Sequence, residues 1–102
     1  MFDYRSQSMD RLMQAIAGMH DIEECYAFFD DLCTIKELQD MAQRFEAARL
    51  LSLEYSYQKI ADKVGMSTAT ISRVNRCLSY GSGGYRAALE RLKSEEEKND
   101  NI

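Results

Sequence analysis

Apolar side chains recur along this chain every three or four residues, the spacing that keeps them on one face of an α-helix. Met9, Leu12, Met13, Ile16 and Met19 trace such a face and predict a first helix from about Arg5 to Met19. Its methionines read as adaptable packing side chains rather than metal ligands. Asp21 with Glu24 three residues later is a capping-box pattern; it opens a second helix carrying Ile22, Cys25, Tyr26, Phe28, Phe29, Leu32 and Cys33. Thr34 and Glu37 repeat the pattern before a third helix reaching about Ser52, with Ile35, Leu38, Met41, Ala42, Phe45 and Ala48 on one face. These three helices are expected to form most of the core. Their apolar and aromatic surface exceeds what a small N-terminal half covers by itself, so a second subunit is expected to bury the remainder.

Residues 56–76, SYQKIADKVGMSTATISRVNR, predict two short helices joined by a tight turn. Ser56 caps the first, with Ile60, Ala61 and Val64 facing inward, and Gly65 supplies a left-handed turn residue. Ser67 caps the second, in which Ile71, Val74 and Leu78 face inward while Thr68, Ala69, Ser72, Arg73 and Arg76 fall on the opposite side. Ala61 is small enough for two steeply crossing helices to approach closely, and the spacing of Ala61, Gly65, Ile71 and Val74 is that of a helix-turn-helix over about residues 57–78. A plain helical hairpin is the simpler alternative. Gly81-Ser82-Gly83-Gly84 follows no strand and precedes no Walker lysine, so it reads as the end of the second helix rather than a phosphate cradle. Tyr85, Ala88, Leu89 and Leu92 form the apolar stripe of a sixth helix. The chain is therefore expected to be all-α, with one domain over residues 1–93 and an acidic, disordered tail over 94–102.

Composition agrees with this pattern: 102 residues contain no proline and only five glycines, too little punctuation for an all-β fold. No apolar run approaches the ~20 residues of a membrane helix, and the N-terminus lacks the basic-then-apolar order of a signal peptide, so a cytoplasmic protein is expected. Cys25, Cys33 and Cys77 are odd in number and form no C-x-x-C pair, and His20 is the only histidine. Neither a disulfide framework, a zinc site nor a nucleophile with its base emerges. No enzyme activity, metal or cofactor is expected.

The net charge of −4 conceals a local asymmetry. Residues 1–56 carry five basic and eleven acidic side chains, whereas residues 57–93 carry seven basic against two acidic. Positive charge is thus concentrated in one stretch, which includes the predicted helix pair and suits double-stranded DNA. Small side chains at Ser67, Thr68, Ala69 and Thr70 let the second helix enter the major groove by its N-terminus, where hydroxyl and methyl groups meet base edges. Lys59, Lys63, Arg73 and Arg76 add sequence-independent attraction to phosphate. Gln58 carries an amide suited to adenine or to phosphate. A helix pair that contacts transcription or replication proteins is the alternative; the DNA-binding end of a recombinase is disfavoured because no residues remain for a catalytic domain.

The segment YSYQKIADKVGMSTATISRVNRCLSYGSGGY, residues 55–85, resembles the tryptophan repressor superfamily, and more closely its TrpR-like branch of the YerC/YecD type; the resemblance covers roughly Asp31 to Leu92. It implies an intertwined homodimer with two protruding reading heads, and a transcriptional regulator, expected to be a repressor, that reads a palindromic operator. Gln58, Thr68, Ala69, Thr70 and Ser72 occupy positions at which that family contacts DNA. Arg44 and Arg73 resemble the two arginines that grip the corepressor in the tryptophan repressor. The glycine that makes room for the indole ring is Val74 here, and a serine near the ligand's amino group is Cys77. An isopropyl group in that slot costs about 1–3 kcal/mol of overpacking, so tryptophan is not expected to serve as corepressor.

Overall fold

Among the described residues, the first five helices begin where a short polar side chain accepts an otherwise unpaired backbone N–H. The computed structural model describes residues 3–100, which form α1 (Gln7–Ala17), α2 (Ile22–Leu32), α3 (Ile35–Ser52), α4 (Tyr57–Val64), α5 (Thr68–Tyr80) and α6 (Gly84–Asp100), with no strand among them. Ser6 accepts from the Met9 N–H at 3.1 Å and Asp21 from the Glu24 N–H at 2.8 Å. At the start of α3 the capping box is reciprocal: the Glu37 N–H donates to Thr34 Oγ1 at 3.1 Å, and the Thr34 N–H donates to Glu37 Oε1 at 2.9 Å. These bonds hold the Glu37 carboxyl below its ordinary range, the Thr34 backbone N–H contributing most. At α2 the return arm differs, because the Glu24 carboxylate accepts from the N–H of His20 rather than from that of Asp21.

The ends are equally local. Gly65 takes φ 76° after α4, and its N–H donates to the Ala61 carbonyl at 2.9 Å. After α3 the left-handed residue is Glu54, at φ 66°. The Tyr55 N–H returns to the Leu50 carbonyl and the Glu54 N–H to that of Leu51, the two bonds of a Schellman motif, here without glycine. In the last turn of α3, Arg49 makes two bonds to the Glu46 carboxylate, at 2.6 and 3.0 Å. That pairing lowers the Glu46 pKa and raises that of Arg49.

Contacts divide the described residues into two compact units, the boundary falling within α3 after Leu38. In the N-terminal unit, neither α1 nor α2 has a buried residue. Phe28 and Phe29 meet edge to face at 5.3 Å, while Ile22, Tyr26 and Ile35 stay more than half exposed. The C-terminal unit holds the core: Ala47, Ala48, Leu50, Ile60, Ile71 and Val74 are buried, with Leu51, Ala61, Val64, Met66, Tyr85 and Leu89 packed against them. The expectation that the first three helices supply most of the core is thereby corrected. Only the last turns of α3 contribute to it, because α4 and α5 supply the opposing apolar side chains there.

Helix boundaries also shift, and Cys33, predicted on the second helix, lies just past the end of α2. The first helix is shorter than its apolar stripe, running from the Ser6 cap to Gly18 rather than from Arg5 to Met19. At the other end α6 continues through residues 94–100, where the sequence predicts a disordered tail. Glu95, Glu96, Glu97 and Lys98 are good helix formers, and no glycine or proline interrupts them. Asn101 and Ile102 of that predicted tail lie outside the described residues.

Candidate nucleic-acid interface

α4 and α5 pack against each other, with Ile60 and Ile71 fully buried in one cluster. Ser56 opens α4 by accepting from the Lys59 N–H at 3.2 Å, and Gly65 closes it. The amide of Gln43, on α3, donates to the Val64 carbonyl at 3.3 Å, satisfying an end that intrahelical bonds leave open. Three residues separate α4 from α5, and Met66 turns its side chain partly into the core. The pair predicted from spacing over residues 57–78 is formed in this way.

α5 has two unlike sides. Ile71 and Val74 are buried and Leu78 is half-buried, while Thr68, Ala69, Ser72, Arg73 and Arg76 are exposed. Ser67 Oγ accepts from the Thr70 N–H at 3.2 Å and lies 2.9 Å from Thr70 Oγ1. One hydroxyl of that pair donates to the other, so a single O–H remains between them for any outside acceptor. Thr70 is itself half-buried. Thr68, Ala69 and Ser72 are therefore the small side chains most open to a partner, while Ser67 and Thr70 hold the first turn in shape. At the far end, Arg86 Nε donates to the Leu78 carbonyl at 2.8 Å, and a Cβ on Gly81 would run into the Cys77 carbonyl oxygen. That glycine is required by close approach, which agrees with its predicted place at the end of the helix.

On α4, Gln58, Lys59 and Lys63 are exposed. The Lys63 ammonium lies 6.0 Å from the centre of the Tyr55 ring, at the outer limit of a cation–π contact. Gln58 Nε2 donates to Asp62 Oδ1 at 3.1 Å, one helical turn along. Asp62 was not among the candidates that charge and spacing selected, although a Gln–Asp pair four residues apart is a readable signal for such a bond.

The two arginines that resemble corepressor ligands, Arg44 on α3 and Arg73 on α5, are both exposed. Val74 is only 4% exposed, its isopropyl group packed into the core beside the turn that carries Arg73. Cys77 is an exposed free thiol on α5, whereas Cys25 on α2 and Cys33, which caps the end of that helix, are half-buried. No described helix is long and apolar enough to cross a membrane.

Residues 7–93 match the sequence profile of the Trp repressor protein family. The YerC protein of Bacillus subtilis (strain 168) is 53% identical over 92 residues, covering 90% of this chain and 88% of its own. The crystal structure of a TrpR like protein from Eubacterium eligens ATCC 27750 superposes with a TM-score of 0.83 at 49% identity, over 87% of this chain and 92% of that one. A structure from Staphylococcus aureus gives 0.82 at 44% identity, over 87% and 89% of the two chains. The profile takes in α1 and α2, which lie mostly before Asp31, where the resemblance begins to the eye. With six helices among the described residues and a match spanning all but the chain's ends, the protein belongs to the Trp repressor protein family.

Proposed function

We propose that the protein is a sequence-specific DNA-binding transcriptional regulator, a repressor that acts as a homodimer on a palindromic operator. The observation that carries this reading is the two-sided character of α5: one face is anchored by Ile71 and Val74, and the other presents Thr68, Ala69, Ser72, Arg73 and Arg76 to solvent. An anchored helix with small residues at its N-terminus and arginines beside them fits the major groove. Thr68, Ala69 and Ser72 read base edges. Ser67 and Thr70 hold the reading turn and offer their remaining hydroxyl hydrogen, while Lys59, Lys63, Arg73 and Arg76 take phosphates.

Dimerisation is supported by the uncovered apolar side chains of the N-terminal unit. Ile22 is 71% and Ile35 75% exposed, a state that a second copy relieves. Twofold symmetry then sets two α5 helices about one DNA turn apart, ~34 Å, and calls for paired half-sites. Regulation follows from occupancy of a promoter in the cytoplasm and needs neither catalysis nor a cofactor. Tryptophan is not the effector in this reading, since Val74 stands where the tryptophan repressor has the glycine that makes room for the indole ring.

Selection of the purified protein against random-sequence duplexes tests the proposal. The expected result is an enriched palindrome bound by a dimer, with affinity falling as salt rises. Equal, weak binding to every duplex would contradict it. Substituting Thr70 and Arg73 together separates this from a protein-docking role: DNA binding collapses, whereas a contact made through α1 and α2 survives.

A further inference from the structure

The Gln58–Asp62 pair decides between the two partners that the Gln58 side chain could take, and the inference rests on the DNA-binding role proposed above. A carboxylate only accepts, so the bond at 3.1 Å requires the NH2 side of the Gln58 amide to face Asp62. What remains outward is Oε1 and one N–H. An acceptor beside a donor is the complement of the adenine edge, where the N6 amino group donates and N7 accepts. A phosphate oxygen only accepts, and reaching the amide would bring it next to the negative charge of Asp62. Lys59 and Lys63, exposed on the same short helix, are the better phosphate partners. Both members of the pair point away from buried Ile60, so no core packing fixes them.

We propose that Asp62 is a positioning residue that orients the Gln58 amide to read an adenine in the operator and keeps phosphate from it. Asp62 thereby weakens attraction to DNA in general while sharpening discrimination at one base pair per half-site.

The full-length protein and its Gln58→Ala, Asp62→Ala and Asp62→Asn variants are titrated with the best duplex from a random-sequence selection. Each adenine in turn is replaced by the analogue with C–H in place of N7. The unmodified protein is expected to lose about tenfold in affinity at one adenine per half-site. Gln58→Ala abolishes that sensitivity alone. Asp62→Ala binds all duplexes more tightly and is less sensitive at the same adenine. Asp62→Asn also binds more tightly but keeps the sensitivity, because its side-chain oxygen still accepts from Gln58. A role in helix stability alone would not move discrimination at a single base. The inference is overturned if Gln58→Ala weakens every duplex by one factor, or if Asp62→Ala leaves the adenine sensitivity intact. If no sequence is enriched at the outset, the DNA-reading role falls and this inference with it; an enriched operator without the Gln58 signature removes the inference only.

Discussion

The N-terminal helices and the α4–α5 pair use their apolar residues to opposite effect. α1 and α2 carry long, regular apolar stripes, yet none of their residues is buried. α4 has only eight residues and two lysines, yet it sinks Ile60 completely against α5, whose Ile71 is equally covered. An amphipathic stripe shows that a helix needs cover; it does not show that its own chain supplies it. Where cover is present, a few branched side chains fix a rigid pair able to hold a reading surface. Where it is absent, the stripe stays exposed, and the dimer proposed above rests on that exposure.

Truncation separates the two regions most strongly. Ile71→Ala is expected to cost about 2–5 kcal/mol in chemical denaturation, since it leaves a cavity in a closed core. Ile22→Ala, at an exposed position, should instead lower stability in proportion to dimer content and grow more severe as the protein is diluted. If both variants lost the same amount at every concentration, the contrast would not hold. Gly81→Ala comes next, at about 1–3 kcal/mol, because the added methyl meets the Cys77 carbonyl and the end of α5 must move. Thermal unfolding measures this directly, and an unchanged midpoint would show that the turn adapts freely.

Smaller effects test local geometry. Glu54→Gly removes the left-handed strain after α3, worth about 1 kcal/mol, against the greater freedom of an unfolded glycine. A slight net gain is expected, and a loss would assign Glu54 a contact of its own. The smallest effect concerns Glu37. Its folded pKa is lowered, so its contribution is complete above the ordinary carboxylate range and disappears as the pH falls through the lowered value. Glu37→Gln should flatten that part of the acid limb in a stability-versus-pH curve, most visibly in the helical signal of α3.

The elements easiest to read from sequence were those fixed within four residues. Ser56, Gly65 and Ser67 placed the α4–α5 pair, and Thr34 with Glu37 placed the start of α3, because caps and left-handed turns are local. The exposed face of α5, with Thr68, Ala69, Ser72, Arg73 and Arg76, was legible for the same reason. The turn at Glu54 was not, since a Schellman motif usually announces itself with glycine. Nor was the distribution of the core: the stripe from Ile35 through Met41 is as regular as that from Ile60 through Val64, and only the opposing side chains distinguish them. The acidic run from Glu95 read as a solvated tail by charge, although its residues favour helix by propensity. Asp62 carries no such signal in its charge, because a carboxylate within a basic segment does not mark a contact with phosphate, however well placed it is.

The central claim is that the outer face of α5 reads sequence, and its most direct test is a comparison of specific with bulk binding. Affinity for the selected duplex and for a scrambled copy is measured across a range of salt concentrations, for the unmodified protein and for a variant carrying Thr68→Val and Ser72→Ala. The account predicts that the unmodified protein prefers the selected duplex at every salt concentration, both affinities falling with salt through the shared phosphate contacts. It predicts that the variant keeps the salt dependence and loses the preference. A variant that discriminates as well as the unmodified protein would contradict the claim and place the reading of sequence elsewhere in the molecule.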